Sequence, residues 1–151
     1  MNDRQLCNLD ARESVARFRY FACDEVCARL MFSILILSHN AECRSTARRA
    51  LTRVGCAVST AIDGGHATLA LARGAIDVLI VENDLPEGSG KSVAAWLRHY
   101  CPGLAVVVMC DRRSIVPADE IAVVRPFTAD DLFDAVLNAA ALQARRGATS
   151  R

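Results

Sequence analysis

Residues Asp77 to Gly90 read DVLIVENDLPEGSG, and the first half of that stretch decides the fold. After Asp77 come Val78, Leu79, Ile80 and Val81, apolar and mostly β-branched, with no polar alternation. A run so short is a strand rather than a helix, and one written without alternation is covered on both faces, as in a parallel sheet. Asn83, Asp84, Pro86 and Gly88 then supply turn chemistry. A second run of this kind, Leu104–Met109 (LAVVVM), follows the Pro102-Gly103 turn.

Outward from these two runs the pattern repeats. Ser33–Leu37 reads as a buried strand, and Ala41–Val54 as a helix that Gly55 would stop. Cys56–Ala61 reads as a strand, and the Asp63-Gly64-Gly65 turn leads to a helix from His66 to Arg73, closed by Gly74. Gly90–Tyr100 is a further helix and Ile121–Val124 a fifth strand. The last helix is expected from Thr128 to about Arg145, with Thr128 and Asp131 spaced as a capping box. Five strands alternating with helices make an α/β, doubly wound parallel sheet. In such sheets, sites form at the carboxyl ends of the strands.

Composition narrows the function classes. The chain has 151 residues, 52% hydrophobic and 23% charged, with a net charge of +1. That is globular composition, and it advertises neither a nucleic-acid nor a membrane surface. No run reaches the ~18 apolar residues of a membrane span, and the apolar Leu30–Leu37 segment lacks a signal-peptide cleavage pattern. A cytoplasmic protein is expected. Its seven cysteines are odd in number and scattered, which favours reduced thiols over a disulfide framework, and no CxxC or histidine pair completes a metal site.

Residues 1–31 form an extension in which Asp10 and Glu13 could cap a helix, with Val15, Phe18, Ala22, Val26 and Leu30 on one face. Met31 stands where the domain itself would begin, so this segment reads either as a docked helix or as an upstream start. The domain proper is expected over residues 32–144, with a frayed tail at 145–151.

The order of these pieces resembles the receiver domain of bacterial two-component response regulators, from about Phe32 to Gln143. The most specific stretches are GCAVSTAIDGGHATLAL (Gly55–Leu71), DVLIVENDLPEGSG, CPGLAVVVMCD (Cys101–Asp111) and VVRPFTADDL (Val123–Leu132). The resemblance implies a flavodoxin-like, five-stranded sheet. It also implies acyl-phosphate chemistry, in which an aspartate after the third strand accepts a phosphoryl group. Mg²⁺ is then held by that aspartate and by an acidic pair after the first strand. A Ser/Thr after the fourth strand and a lysine after the fifth contact the phosphoryl oxygens. Two anions must meet, so positive charge has to offset their repulsion.

At each of these positions the sequence departs from the pattern. Ser38 and His39 stand for the acidic pair, Glu82 for the phosphoacceptor, Cys110 for the Ser/Thr and Arg125 for the lysine. Ala122 replaces the aromatic that reports phosphorylation. Only Pro126, a candidate for a cis bond, and the Leu85-Pro86 loop look ordinary. Mg²⁺ prefers octahedral oxygen ligands, so its binding is expected to be weak or absent. No other cofactor or metal is expected.

Glu82 has two readings that can coexist: imitation of a phosphorylated aspartate, and an ion pair with Arg125 that locks the pocket. His39, Glu82, Cys110 and Arg125 are expected at one rim, with Asp84 and Asp111 solvated nearby. The connection Asp111–Glu120 is about two helical turns shorter than receivers typically have there, and Pro117 interrupts it. A rebuilt binding patch is therefore expected near Ile115, Val116, Ile121 and the last helix, with neighbouring strands poorly covered unless the N-terminal segment, or Leu132, Phe133 and Val136 of the last helix, close them.

The expected function is that of a degenerate receiver in signal transduction, acting by phosphorylation-independent protein contacts and not as an enzyme. Its partner would be a kinase, effector or another regulator, and a homodimer is compatible with it. With no output domain following, output is expected to pass to that partner. The alternatives are a conventional phosphorelay regulator with an altered site (using Asp84), a redox switch or enzyme built on Cys110, and a relic without a role.

Overall fold

The computed structural model describes residues 32–112 and 120–149. The helix expected within residues 1–31, and the connection around Ile115 and Val116, lie outside the described residues. In chain order the elements are β1 (Ser33–Leu37), α1 (Ala41–Arg53), β2 (Ala57–Ala61), α2 (Gly64–Arg73), β3 (Val78–Glu82), β4 (Asp84–Leu85) and β5 (Gly88–Ser89). They continue as α3 (Gly90–Leu97), β6 (Ala105–Cys110), β7 (Ile121–Val124) and α4 (Ala129–Thr149).

The main sheet is all parallel in the order β2-β1-β3-β6-β7, the flavodoxin-like order. β3 and β6 are buried at every position, as their unbroken apolar runs require. The exposure expected along Leu104–Met109 is therefore absent: Leu132, Phe133 and Val136 of α4 close the face of Val107 and Met109, and Leu104, Val106 and Val108 are buried in the opposite cluster. β7, at the edge, is the half-exposed strand. Strand alternation divides the core into two clusters. Ile34, Ile36, Val78, Ile80, Val107 and Met109 face α1 and α4, whereas Leu35, Leu37, Leu79, Val81 and Val108 face α2 and α3.

Several boundaries move for local reasons. Asp63 is the N-cap of α2, its Oδ1 accepting from His66 N at 2.8 Å, so Gly64 and Gly65 open the helix rather than form a turn before it. Asp77 stands outside β3, and its Oδ2 accepts from Ser33 N at 2.8 Å. α3 ends at Leu97, and turns carry the chain to Cys101. The capping box is reciprocal: Thr128 N donates to Asp131 Oδ2 at 2.9 Å and Asp131 N to Thr128 Oγ1 at 3.1 Å. α4 runs to Thr149, past the expected end at Arg145, because Gln143, Ala144, Arg145 and Arg146 are good helix formers and only Gly147 opposes them. Among the described residues no helix is long and apolar enough to cross a membrane. Cys43, Cys56, Cys101 and Cys110 are free thiols.

Candidate functional site

The carboxyl ends of β1, β3, β6 and β7 converge on one carboxylate. Glu82 ends β3 and is only 2% exposed. Its position is fixed from behind: Asn83 N donates to Met109 O at 2.8 Å, and Gly90 N donates to Asn83 O at 2.7 Å. α3 starts so close to this point that a Cβ on Gly90 would overlap the Glu82 carbonyl oxygen. Only glycine permits that approach.

Arg125, just beyond β7 and joined to Pro126 by a cis peptide bond, donates from Nη1 to Glu82 Oε1 at 2.9 Å. On the other side, His39 Nδ1 lies 2.8 Å from Glu82 Oε2, and Asp111 Oδ1 lies 3.1 Å from Arg125 Nε. Both contacts are at ion-pair distance without hydrogen-bond alignment, so Glu82 Oε2 and Arg125 Nε accept and donate no directed bond; the attraction between Asp111 and Arg125 is Coulombic. Burial opposes the Arg125 charge, but the Glu82 hydrogen bond and the charges of Glu82 and Asp111 outweigh it and hold the guanidinium above its ordinary range. The pair expected between Glu82 and Arg125 is thus present. Asp111, expected to be loop-solvated, is two-thirds exposed and is also the second anion on Arg125.

Ser38 is fully buried, and its hydroxyl faces its own loop, accepting from Asn40 N at 3.1 Å. Asn40 in turn caps α1, its Oδ1 accepting from Cys43 N at 3.0 Å. Arg44 Nη1 donates to Ser38 O at 2.6 Å, pinning the loop from the helix side. His39 remains half exposed, at 52% of its side chain.

Cys110 does not join this rim. Its backbone does, since Arg125 N donates to Cys110 O at 2.8 Å. Its thiol belongs to the α2–α3 core cluster, one step out of phase with Met109, which faces the α1–α4 side and pairs in register with Glu82. The thiol is wholly buried, and burial, then the charge of Asp84, pushes its pKa up despite Arg125. A thiolate nucleophile needs the opposite environment. Ala122 packs against the same cluster, in register with Val108.

The cysteine that does approach the site is Cys43 on α1. Its sulfur lies 3.6 Å from Arg125 Nη1 and 3.8 Å from Met109 Sδ. Burial raises its pKa, opposed by Arg125 and reinforced by Glu82. Its place in the first turn after the Ser38–Asn40 loop was the available signal.

Similar solved structures include a response regulator receiver domain protein from Clostridium thermocellum, 21% identical, covering 76% of this chain and 98% of that one at a TM-score of 0.67. The receiver domain of NtrX from Brucella abortus is 21% identical, with 72% and 98% covered and a TM-score of 0.65. The chemotaxis response regulator CheY4 of Vibrio cholerae is 22% identical, with 72% and 98% covered and a TM-score of 0.61. The fold is the receiver fold. No protein-family model and no curated protein matches the sequence.

The magnesium chemistry implied by the receiver fold does not fit these residues. Ser38 turns its hydroxyl into its own loop, His39 offers nitrogen, and Glu82 has one oxygen committed to Arg125. Among the described residues no three His, Cys, Asp or Glu side chains gather as a cation would require. A hard cation needs oxygen donors and meets a guanidinium here instead.

Proposed function

We propose that this chain is a degenerate receiver of the two-component type that signals through protein contacts without being phosphorylated. The observation behind the reading is the filled pocket: Glu82, buried at the acceptor position, is closed by Arg125 at 2.9 Å and faced by His39 at 2.8 Å. Arg125 offsets one of the two negative charges of Glu82 and Asp111, so a single net negative charge is left where the receiver pattern gathers three carboxylates around a divalent cation. Glutamate also sets its carboxylate one methylene further from the strand, and a misplacement of about 1 Å costs on the order of 10²-fold in rate. Held there by Arg125, the same carboxylate presents a fixed negative charge and keeps the pocket in one state. The output is a protein partner in the cytoplasm, such as a kinase, an effector or another regulator, and no enzymatic turnover is involved.

The test is incubation of the purified chain with acetyl phosphate, or with beryllofluoride, in the presence of Mg²⁺. Intact mass should not change, and amide NMR shifts at Ser38, His39 and Glu82 should not respond to magnesium. A stable phosphoryl adduct on Glu82, or tight magnesium binding at the pocket, would overturn the reading.

A further inference from the structure

Helix α1 holds an uneven share of the chain's charge. It contains Arg44, Arg48, Arg49 and Arg53 against a single acid, Glu42, in a protein whose net charge is only +1. Glu42 is followed at three and four residues by Ser45 and Thr46, so it meets none of the arginines at the spacings through which helical side chains interact. Arg44 with Arg48, and Arg49 with Arg53, are like charges four residues apart, an arrangement that disfavours the isolated helix. Arg44 is drawn inward to the Ser38 carbonyl. Arg48 and Arg49 are exposed and have no partner among the described residues. With Ser45, Thr52 and Arg53 they form the solvent side of the helix, opposite the buried Ala47 and Leu51.

We infer that this face of α1 is a docking surface for an acidic protein surface, one that presents carboxylates at helical spacing. The inference rests on the proposed function, because it names the kind of partner through which a receiver without phosphotransfer would act. Three features select carboxylates on a protein. The planar fork of arginine matches a carboxylate in two parallel bonds, and neighbouring Ser45 and Thr52 add hydroxyl donors. The exposed side of the helix carries no aromatic or large aliphatic residue to stack on bases or enter a lipid surface. A nucleic-acid backbone would demand basic charge beyond one helix, whereas α4 opens with Asp130 and Asp131. The face is also mechanically joined to the pocket, since Arg44 grips the loop that bears His39.

The full chain should be titrated into a fluorescein-labelled helical peptide of about 20 residues, built on alanine with glutamates at i,i+4 spacing, and alongside into poly-L-glutamate of the same length, with anisotropy as the readout. Parallel arms use duplex DNA of about 20 base pairs and phosphatidylserine vesicles. Both peptides should bind and be released by salt, and Arg48→Glu/Arg49→Glu should weaken their binding by at least about tenfold. Arg73→Glu, on exposed α2, should leave binding unchanged. If the charge reversal fails to fold by circular dichroism, Arg48→Gln/Arg49→Gln gives the same comparison with a smaller loss. Binding that survives either double variant overturns the inference, as does DNA or vesicle binding as tight as that of the helical peptide. The two readings fail separately: a phosphorylated Glu82 with arginine-dependent binding removes the proposed function alone, and arginine-independent binding with an unmodified Glu82 removes the docking face alone.

Discussion

Replacing Arg125 with alanine isolates the interaction on which the pocket depends. Glu82 is 2% exposed, and its one directed side-chain bond comes from Arg125 at 2.9 Å; the His39 contact is misaligned and half in water. Breaking a fully buried pair from one side costs about 3–5 kcal/mol. Arg125 is itself 28% exposed, and its truncation would let water reach the carboxylate, so the expected cost falls to about 2–4 kcal/mol. Asp111, two-thirds exposed, returns to solvent at little cost. Glu82→Gln keeps the shape and removes the charge, and should cost about 1–2 kcal/mol. The double variant should cost less than the two singles together, by at least about 1 kcal/mol, because the stranded carboxylate is gone. Urea unfolding followed by circular dichroism measures all four proteins, with an unchanged denaturant slope as the control. An Arg125→Ala cost below about 0.5 kcal/mol, or simple additivity in the cycle, would refute the argument.

Two further outcomes follow from the packing and the thiols. Gly90→Ala forces a methyl against the Glu82 carbonyl and should destabilise by about 1–3 kcal/mol or more, with amide shifts at Glu82 and Asn83; a neutral variant would mean that α3 does not start so close to β3. Burial pushes the Cys56 thiol from its ordinary 9.0 up to about 11. The folded state therefore holds a proton that the unfolded chain releases, so this contribution is complete below pH 9.0 and is lost as pH rises through about 11. Cys56→Ala should flatten that alkaline fall in the urea midpoint, and identical pH profiles for the two proteins would count against it.

The sheet was legible because its central strands announce themselves: Val78–Val81 and Leu104–Met109 can be little else than strands covered on both faces. The site positions were legible through the same frame, since Ser38, His39, Glu82 and Arg125 each follow a strand. Strand register was not, because pairing of Glu82 with Met109 depends on residues 27 apart in the chain meeting through space. That register puts Met109 on the Glu82 side and turns Cys110 away. The approach of Cys43 to Arg125 spans 82 residues and was hidden for the same reason. The reading of Asp63-Gly64-Gly65 as a turn missed a local signal, an aspartate three residues before His66, which is N-cap spacing.

The clasp at Ser38 makes a magnesium seat hard to install in this pocket by single substitutions. An aspartate there would still accept from Asn40 N, but it would bury a negative charge beside Glu82 before any cation could compensate it. Glu82→Asp taken first would pull the carboxylate back from Arg125 and slacken the pair without creating a metal seat. Each single substitution toward a metal seat thus passes through a less stable intermediate, so several positions would have to change together before a cation gained a place.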